Sequence, residues 1–293
     1  MIKKYGSILW AYLLKCFLFI LQFLPLRYSI CIMEYIANFL GMLSSRHKLT
    51  IKNLTNAYPD KSIVEINNIA KKMWHHMGAL LIEYFLISKI VNDTQNVKKR
   101  VIIENSKILE QVSKEDKPHI FFTAHIGNFE LLPILAQQHN VDMAVLFRPP
   151  NNKYVAKMLL KIRKKFLPHI VPSTYGAAWQ LNNALSNNQN IGILVDQKYS
   201  RGFLTSFFKQ PVKTNPLAIK LADKFNCDLY PAICLRLPKG KYKIILYEKI
   251  SLIKDKNGMV DFKANCQLLN DIVEQWVREN PEQWMWFHNR WKL

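Results

Sequence analysis

The sequence predicts an α/β protein: a mixed, mostly parallel central sheet flanked by helices, with a hydrophobic membrane-anchoring helix at the N-terminus. Three features predict it. Short apolar runs alternate with stretches of helical spacing, the pattern of strand–helix–strand units. His125, Arg148 and Asp196 each follow or close one of those runs, where parallel sheets expose functional side chains. Ahead of them, Ser7 to Leu26 is mostly apolar and close to the roughly 20 residues that cross a bilayer.

In chain order, Lys3 and Lys4 lead the apolar segment and Arg27 follows it, so the distribution of basic residues does not select an orientation. No small-residue cleavage site follows, which argues against a signal peptide. Lys15 interrupts the segment at a cost on the order of a few kcal/mol in a bilayer centre. The segment therefore reads either as a tilted span or as a helix lying in the interface beside a second apolar stretch, Ile30–Leu43. Residues 1–26 are assigned to the anchor and 27–293 to one catalytic domain, since no Gly/Ser-rich or Pro-rich linker and no repeat divides the chain.

Ile63, Ile66, Ile69, Ala70, Met73, Trp74, Met77, Leu80, Leu81 and Tyr84 recur at helical spacing and predict a long amphipathic helix over Pro59–Leu86. Asp60 and Ser62 read as its start. Strands are expected at His119–Thr123, Met143–Phe147, Ile191–Val195, Leu229–Cys234 and Lys243–Glu248. Helices are expected around Asn152–Phe166, Tyr175–Ser186, Asn215–Phe225 and Phe262–Arg278. The adjacent His75 and His76 point in different directions on a helix and read as surface and partial core, not as metal ligands. Glu83 closes an apolar helix face and reads either as a functional position or as a capped or paired structural acid.

Of the 293 residues, 41 are Lys or Arg and 21 Asp or Glu, a formal charge of +20. Such an excess suits a polyanionic partner: anionic lipid, an acidic protein or nucleic acid. The apolar N-terminus and the absence of a zinc-finger or RNA-recognition signature disfavour nucleic acid. One helix shows how charge and apolarity divide. Val155, Met158, Leu159, Ile162 and Phe166 form a stripe, with Lys153, Lys157, Lys161 and Lys164 on another face. Five cysteines without paired spacing exclude a disulfide framework or zinc site and fit a reducing compartment.

The most specific signal is Thr123-Ala124-His125-Ile126-Gly127-Asn128-Phe129-Glu130, between an apolar strand and an apolar helix. An imidazole can take up a proton near neutral pH. Residues five apart do not share a helix face, so Glu130 can serve His125 only if Gly127-Asn128 turns the chain. With Phe147-Arg148-Pro149, Arg163, Asp196-Gln197, Phe207-Phe208-Lys209 with Thr214, the stretch Arg46–Glu83 and the tail Pro281–Lys292, this box resembles the late acyltransferases of lipid A biosynthesis. Lys209 departs from the family's glycine. The resemblance runs over nearly the whole chain.

The resemblance implies acyl transfer to a hydroxyl of a lipid A precursor from an acyl-carrier-protein thioester. No cofactor or metal is implied. The place would be the cytoplasmic face of a bacterial inner membrane. His125 would be general base and Glu130 would hold its tautomer. Arg148 or Arg163 would bind phosphate or the oxyanion. Asp196 would position an arginine or meet the acceptor, with Gln197 and Asn128 as further substrate contacts. No Gly-x-Ser-x-Gly elbow is present, so direct transfer without an acyl-enzyme is expected. An apolar groove would measure the acyl chain. Two rival readings remain: acyl-CoA-dependent acylation of another glycolipid such as a phosphatidylinositol mannoside, and a non-catalytic basic membrane scaffold.

Overall fold

The computed structural model describes residues 2–91, 100–149, 152–173 and 176–293. The chain opens with helices α1 (Ile2–Leu21), α2 (Leu26–Leu43), α3 (Ser45–Ala57), α4 (Ile63–Phe85) and the short α5 (Ile87–Val91). Then come β1 (Val101–Glu104), α6 (Lys107–Val112), β2 (Ile120–Thr123), α7 (Leu131–Gln138), β3 (Met143–Phe147), α8 (Lys153–Arg163), β4 (Ile170–Pro172), α9 (Ala177–Ser186) and β5 (Asn190–Leu194). A separate hairpin, β6 (Phe203–Phe207) and β7 (Gln210–Thr214), precedes α10 (Leu217–Phe225), β8 (Leu229–Leu237), β9 (Lys241–Leu246) and α11 (Phe262–Glu279).

The main sheet has seven strands in the order β1-β9-β8-β2-β5-β3-β4. β8, β2, β5, β3 and β4 are mutually parallel; β9 runs antiparallel to β8, and β1 runs with β9. This is the mixed, mostly parallel, helix-flanked sheet that the sequence predicts. Parallel neighbours need a crossover, and α7, α8 and α9 supply three of them. Successive side chains of the central strands accordingly enter opposite cores. Ile120, Phe122, Ile191, Ile193 and Ile233 enter one core with α4, α9, α10 and α11. Phe121, Met143, Val145, Ala232 and Cys234 enter the other, with α6 and α7.

All five expected strands and the five main helices are found, with ends shifted by a few residues. Tyr175, the expected start of one helix, lies outside the described residues. Ser62 caps α4 in a reciprocal capping box with Glu65.

The N-terminus departs from expectation. Among the described residues no helix is long and apolar enough to cross a membrane, so the transmembrane form of the anchor is not supported. Lys15 interrupts α1, and Leu18 and Leu21 near its end are buried in the second core, with Leu26 and Met33 of α2. α2 packs closely on α4: a Cβ on Gly78 would stand 2.2 Å from the Met33 carbonyl oxygen. Its outer stripe is left uncovered. Tyr28, Ile32, Tyr35, Phe39 and Leu43 share one face and are all exposed.

The β6–β7 hairpin explains what the departure at Lys209 costs. Phe208 and Lys209, the two residues between its strands, both have positive φ, 51° and 58°, the signature of a type I′ turn. Phe208 is held there by its burial against Tyr58 and Trp286. Exposed Lys209 has no such compensation, and a left-handed residue with a Cβ costs about 1–2 kcal/mol. Lys209→Gly is therefore expected to stabilise the fold by about 1 kcal/mol in urea unfolding; a destabilised variant would contradict this account of the turn.

Candidate active site

Register builds the site. Parallel β2 and β5 pair Thr123 with Leu194. Two residues beyond that pair, the chains deliver His125 and Asp196 side by side at the carboxyl edge of the sheet. Ring Nδ1 of His125 lies 2.8 Å from Asp196 Oδ1. The His125 peptide N–H donates to Oδ2 at 3.0 Å, and the indole N–H of Trp284 donates to the same oxygen at 2.8 Å. Asp196 is buried. Burial alone would raise its pKa, but the charge of His125 and the hydrogen bonds it makes outweigh burial and hold the carboxyl well below the usual carboxylate range. An ionised Asp196 accepts a hydrogen bond from Nδ1–H, which leaves Nε2 with the lone pair. Nε2 lies 3.2 Å from the Gln197 amide nitrogen.

The loop carrying His125 is pinned on every side. Gly127 takes φ +57°, and a Cβ there would stand 1.9 Å from the Cys234 carbonyl oxygen of β8, so only glycine fits. The peptide N–H groups of Gly127 and Asn128 donate to Gln283 O and Cys234 O, and Met285 N–H donates to His125 O.

His125, Glu130, Arg148, Arg163 and Gln197 all line one cleft of about 660 Å³, with Tyr84, Phe147, Tyr199 and Phe287. The contact expected between Glu130 and His125 is not formed. Glu130 stands at the N-cap of α7, and its carboxylate pairs with Arg163 from the end of α8. The Arg163 guanidinium lies 4.5 Å from the Phe147 ring centroid. Burial would lower its pKa, but Glu130 raises it further. Asp196, expected to position an arginine or meet the acceptor, is instead the partner of the imidazole. Asn128 is not a cleft residue: it is buried, and its side-chain amide donates to Glu83 at 2.9 Å. Arg148 is exposed at the cleft edge.

A second, narrow apolar cavity of about 60 Å³ lies between α7 and the sheet, lined among others by Leu109, Phe121, Ala136, Met143 and Ala232. Phe129, Glu130, Leu146, Arg163 and Leu194 line both cavities, so the Glu130–Arg163 pair stands where the two meet.

Two functional residues had no clear signal in the sequence. Trp284 was one aromatic in an aromatic tail; the indole that reaches Asp196 cannot be told from its neighbours by spacing. Arg236 sits inside an apolar strand and forms a buried pair with Glu83, and an arginine interrupting a buried strand was the available hint. Arg236 also lies 2.6 Å from His76, whose pKa is lowered to about 3 by burial and by that cation. In the tail, Arg290 is buried and His288 half-buried. Arg290 donates to Thr214, Asn270 and the Lys213 carbonyl, and His288 Nδ1 lies 2.9 Å from Met285 O.

Among the described residues one cluster, Glu115, His119 and Asp228, has metal-ligand proximity. Lys117 and Lys249 already hold Asp228 at 2.7 and 3.1 Å, so its charge is compensated by a salt-bridge network.

Comparison with known proteins identifies the family. A family model described as bacterial lipid A biosynthesis acyltransferase matches residues 3–293. Among individual relatives, Lipid A biosynthesis acyltransferase 2 of Shigella flexneri is 24% identical over 259 residues, 87% of this chain and 81% of that protein. With a match spanning nearly its whole length, the chain belongs to the bacterial lipid A biosynthesis acyltransferase family.

Proposed function

We propose that this acyltransferase moves a fatty acyl chain from an acyl-carrier-protein thioester to a hydroxyl of a lipid A precursor, at the cytoplasmic face of a bacterial inner membrane, with His125 as general base. The observation that carries the reading is the imidazole itself: Nδ1 is bound to buried Asp196, and the ring borders a cleft of about 660 Å³ that also holds Arg148 and Arg163. Nε2 takes the proton of the acceptor hydroxyl as its oxygen attacks the thioester carbonyl. Asp196 holds the tautomer and stabilises the imidazolium. The tetrahedral oxyanion collapses with loss of the thiolate, and the imidazolium returns the proton to sulfur. No acyl-enzyme is needed.

Arg163 spends one guanidinium nitrogen on Glu130, and the side chain lines the cleft. Its guanidinium suits the developing oxyanion, a contribution worth about 3 kcal/mol. Glu130 acts by fixing Arg163. Arg148, exposed at the rim, suits a phosphate of the acceptor. Gln197 would yield its contact with Nε2 to the incoming hydroxyl. The narrow cavity behind Glu130–Arg163 suits the acyl chain, with its length limited by the side chains at the far end.

Two surfaces fit the partners. Lys153, Lys157 and Lys161 of α8 and Lys164 at its C-cap are exposed, while Leu159 and Arg163 of the same helix line the cleft. An acidic carrier protein docked there would deliver its thioester to the cleft. The uncovered stripe on α2, with Phe19, Ile20 and Phe23 exposed nearby in sequence, suits an interfacial helix seated in the headgroup region.

In a transfer assay from acyl-carrier-protein thioester to a tetraacylated lipid A precursor, His125→Ala is expected to lower kcat by about 10²–10⁴-fold. Transfer instead from acyl-CoA to a mannolipid, or none with any donor, would overturn the assignment. Ala136→Phe, filling the narrow cavity, is expected to shift the preferred donor to shorter chains. An unchanged chain profile would place the acyl chain elsewhere. Phe39→Glu with Leu43→Glu is expected to reduce flotation with anionic vesicles several-fold, and wild-type flotation by that variant would exclude α2 as the contact.

A further inference from the structure

Behind the His125 loop lies a buried ionic unit that does not line the cleft. The Glu83 carboxylate, on α4, is fully buried. Its Oε1 accepts from Arg236 Nε at 3.1 Å, and its Oε2 accepts from a second Arg236 nitrogen and from Asn128 Nδ2 at 2.9 Å. Arg236 is itself locked: its peptide N–H donates to Gln283 Oε1 at 2.8 Å, and its carbonyl accepts from Gln283 Nε2 at 3.0 Å. Gln283 also accepts the Gly127 N–H through its carbonyl. Burial opposes the Arg236 charge, yet Glu83 keeps its pKa above the usual value.

A buried ion pair is a poor means of stabilising a fold, because desolvation offsets most of the attraction and an apolar pair of similar volume does as well or better. What it supplies is direction. The carboxylate must satisfy the fork of Arg236 and the amide of Asn128 at once, and that fixes the backbone three residues after His125. α4, β8 and the C-terminal segment thereby agree on one position for the loop.

Resting on the acyl-transfer reading above, we propose that Glu83 and Arg236 are positioning residues: acting through Asn128, they hold the His125 loop where Nε2 meets the acceptor hydroxyl, so they set kcat and leave substrate binding nearly untouched. None of Glu83, Arg236 and Asn128 is among the residues lining the cleft.

The test uses the full-length protein and two variants. Asn128→Ala keeps the ion pair and cuts its link to the loop. Glu83→Leu with Arg236→Leu removes both charges together and avoids leaving one stranded. Both are expected to unfold near the wild-type temperature. Both should lose about tenfold or more in kcat with KM changed less than about twofold, the mark of an interaction expressed after binding. Independently of any reaction, amide hydrogen exchange in the peptide spanning residues 124–130 should accelerate in both, while peptides from α11 exchange as in wild type. Should the double variant fail to fold, Asn128→Ala decides alone. Wild-type kcat with unchanged loop exchange would overturn the proposal. A wild-type protein inactive with every donor and acceptor would sink the acyl-transfer reading, and the exchange result would still decide whether this unit holds the loop.

Discussion

The structure turns on one carboxylate. Asp196 receives the ring and peptide N–H groups of His125 and the indole of Trp284, three donors from two distant parts of the chain. A buried carboxylate survives only when its lone pairs are met, so this cluster demands that β2, β5 and the C-terminal tail come together correctly before it can be ionised. Once ionised, it leaves His125 one available tautomer. Folding and chemistry therefore share a single constraint, and the glycine at 127, pressed against the Cys234 carbonyl, exists to let the loop reach it.

The family's scattered motifs acquire a physical meaning here. The Arg46–Glu83 stretch and the Pro281–Lys292 tail, far apart in sequence, meet directly. Asn53 donates to the carbonyls of Trp286 and His288, and Trp74 stacks on Phe287. Together they form the back wall of the site. The Phe207-Phe208 pair fills the space beneath, against Trp284, Trp286 and Trp291. These segments shape the site by packing, and most of their residues never reach the cleft.

Much of the fold was legible because its strands are buried on both faces and its helices carry wide apolar stripes; Met143–Phe147 was read to the residue. β1 and β4 were missed because they are edge strands of four and three residues, with one face half exposed or a proline at the end, and their pairing comes from the neighbouring strand and not from local pattern. The β6–β7 hairpin was missed because its turn is Phe-Lys, where the usual signal is Asn-Gly. Part of the candidate site was legible, since strand ends announced His125, Arg148 and Asp196, which the fold brings to one edge of the sheet. Their pairing was not. Spacing suggested Glu130 for His125, whereas the registry of two parallel strands, a long-range property, hands that place to Asp196 and sends Glu130 to Arg163. The N-terminal helices show the same limit: composition marked the N-terminus as apolar, but which residues, such as Leu18 and Leu21, turn inward and which face out is decided by packing.

Asp196, not Glu130, governs the imidazole of His125. Nitrogen NMR of the His125 ring in wild type, Asp196→Asn and Glu130→Gln measures this. A single Nδ1–H tautomer is expected in wild type, retained in Glu130→Gln and lost in Asp196→Asn. A ring indifferent to Asp196→Asn but altered by Glu130→Gln would contradict it.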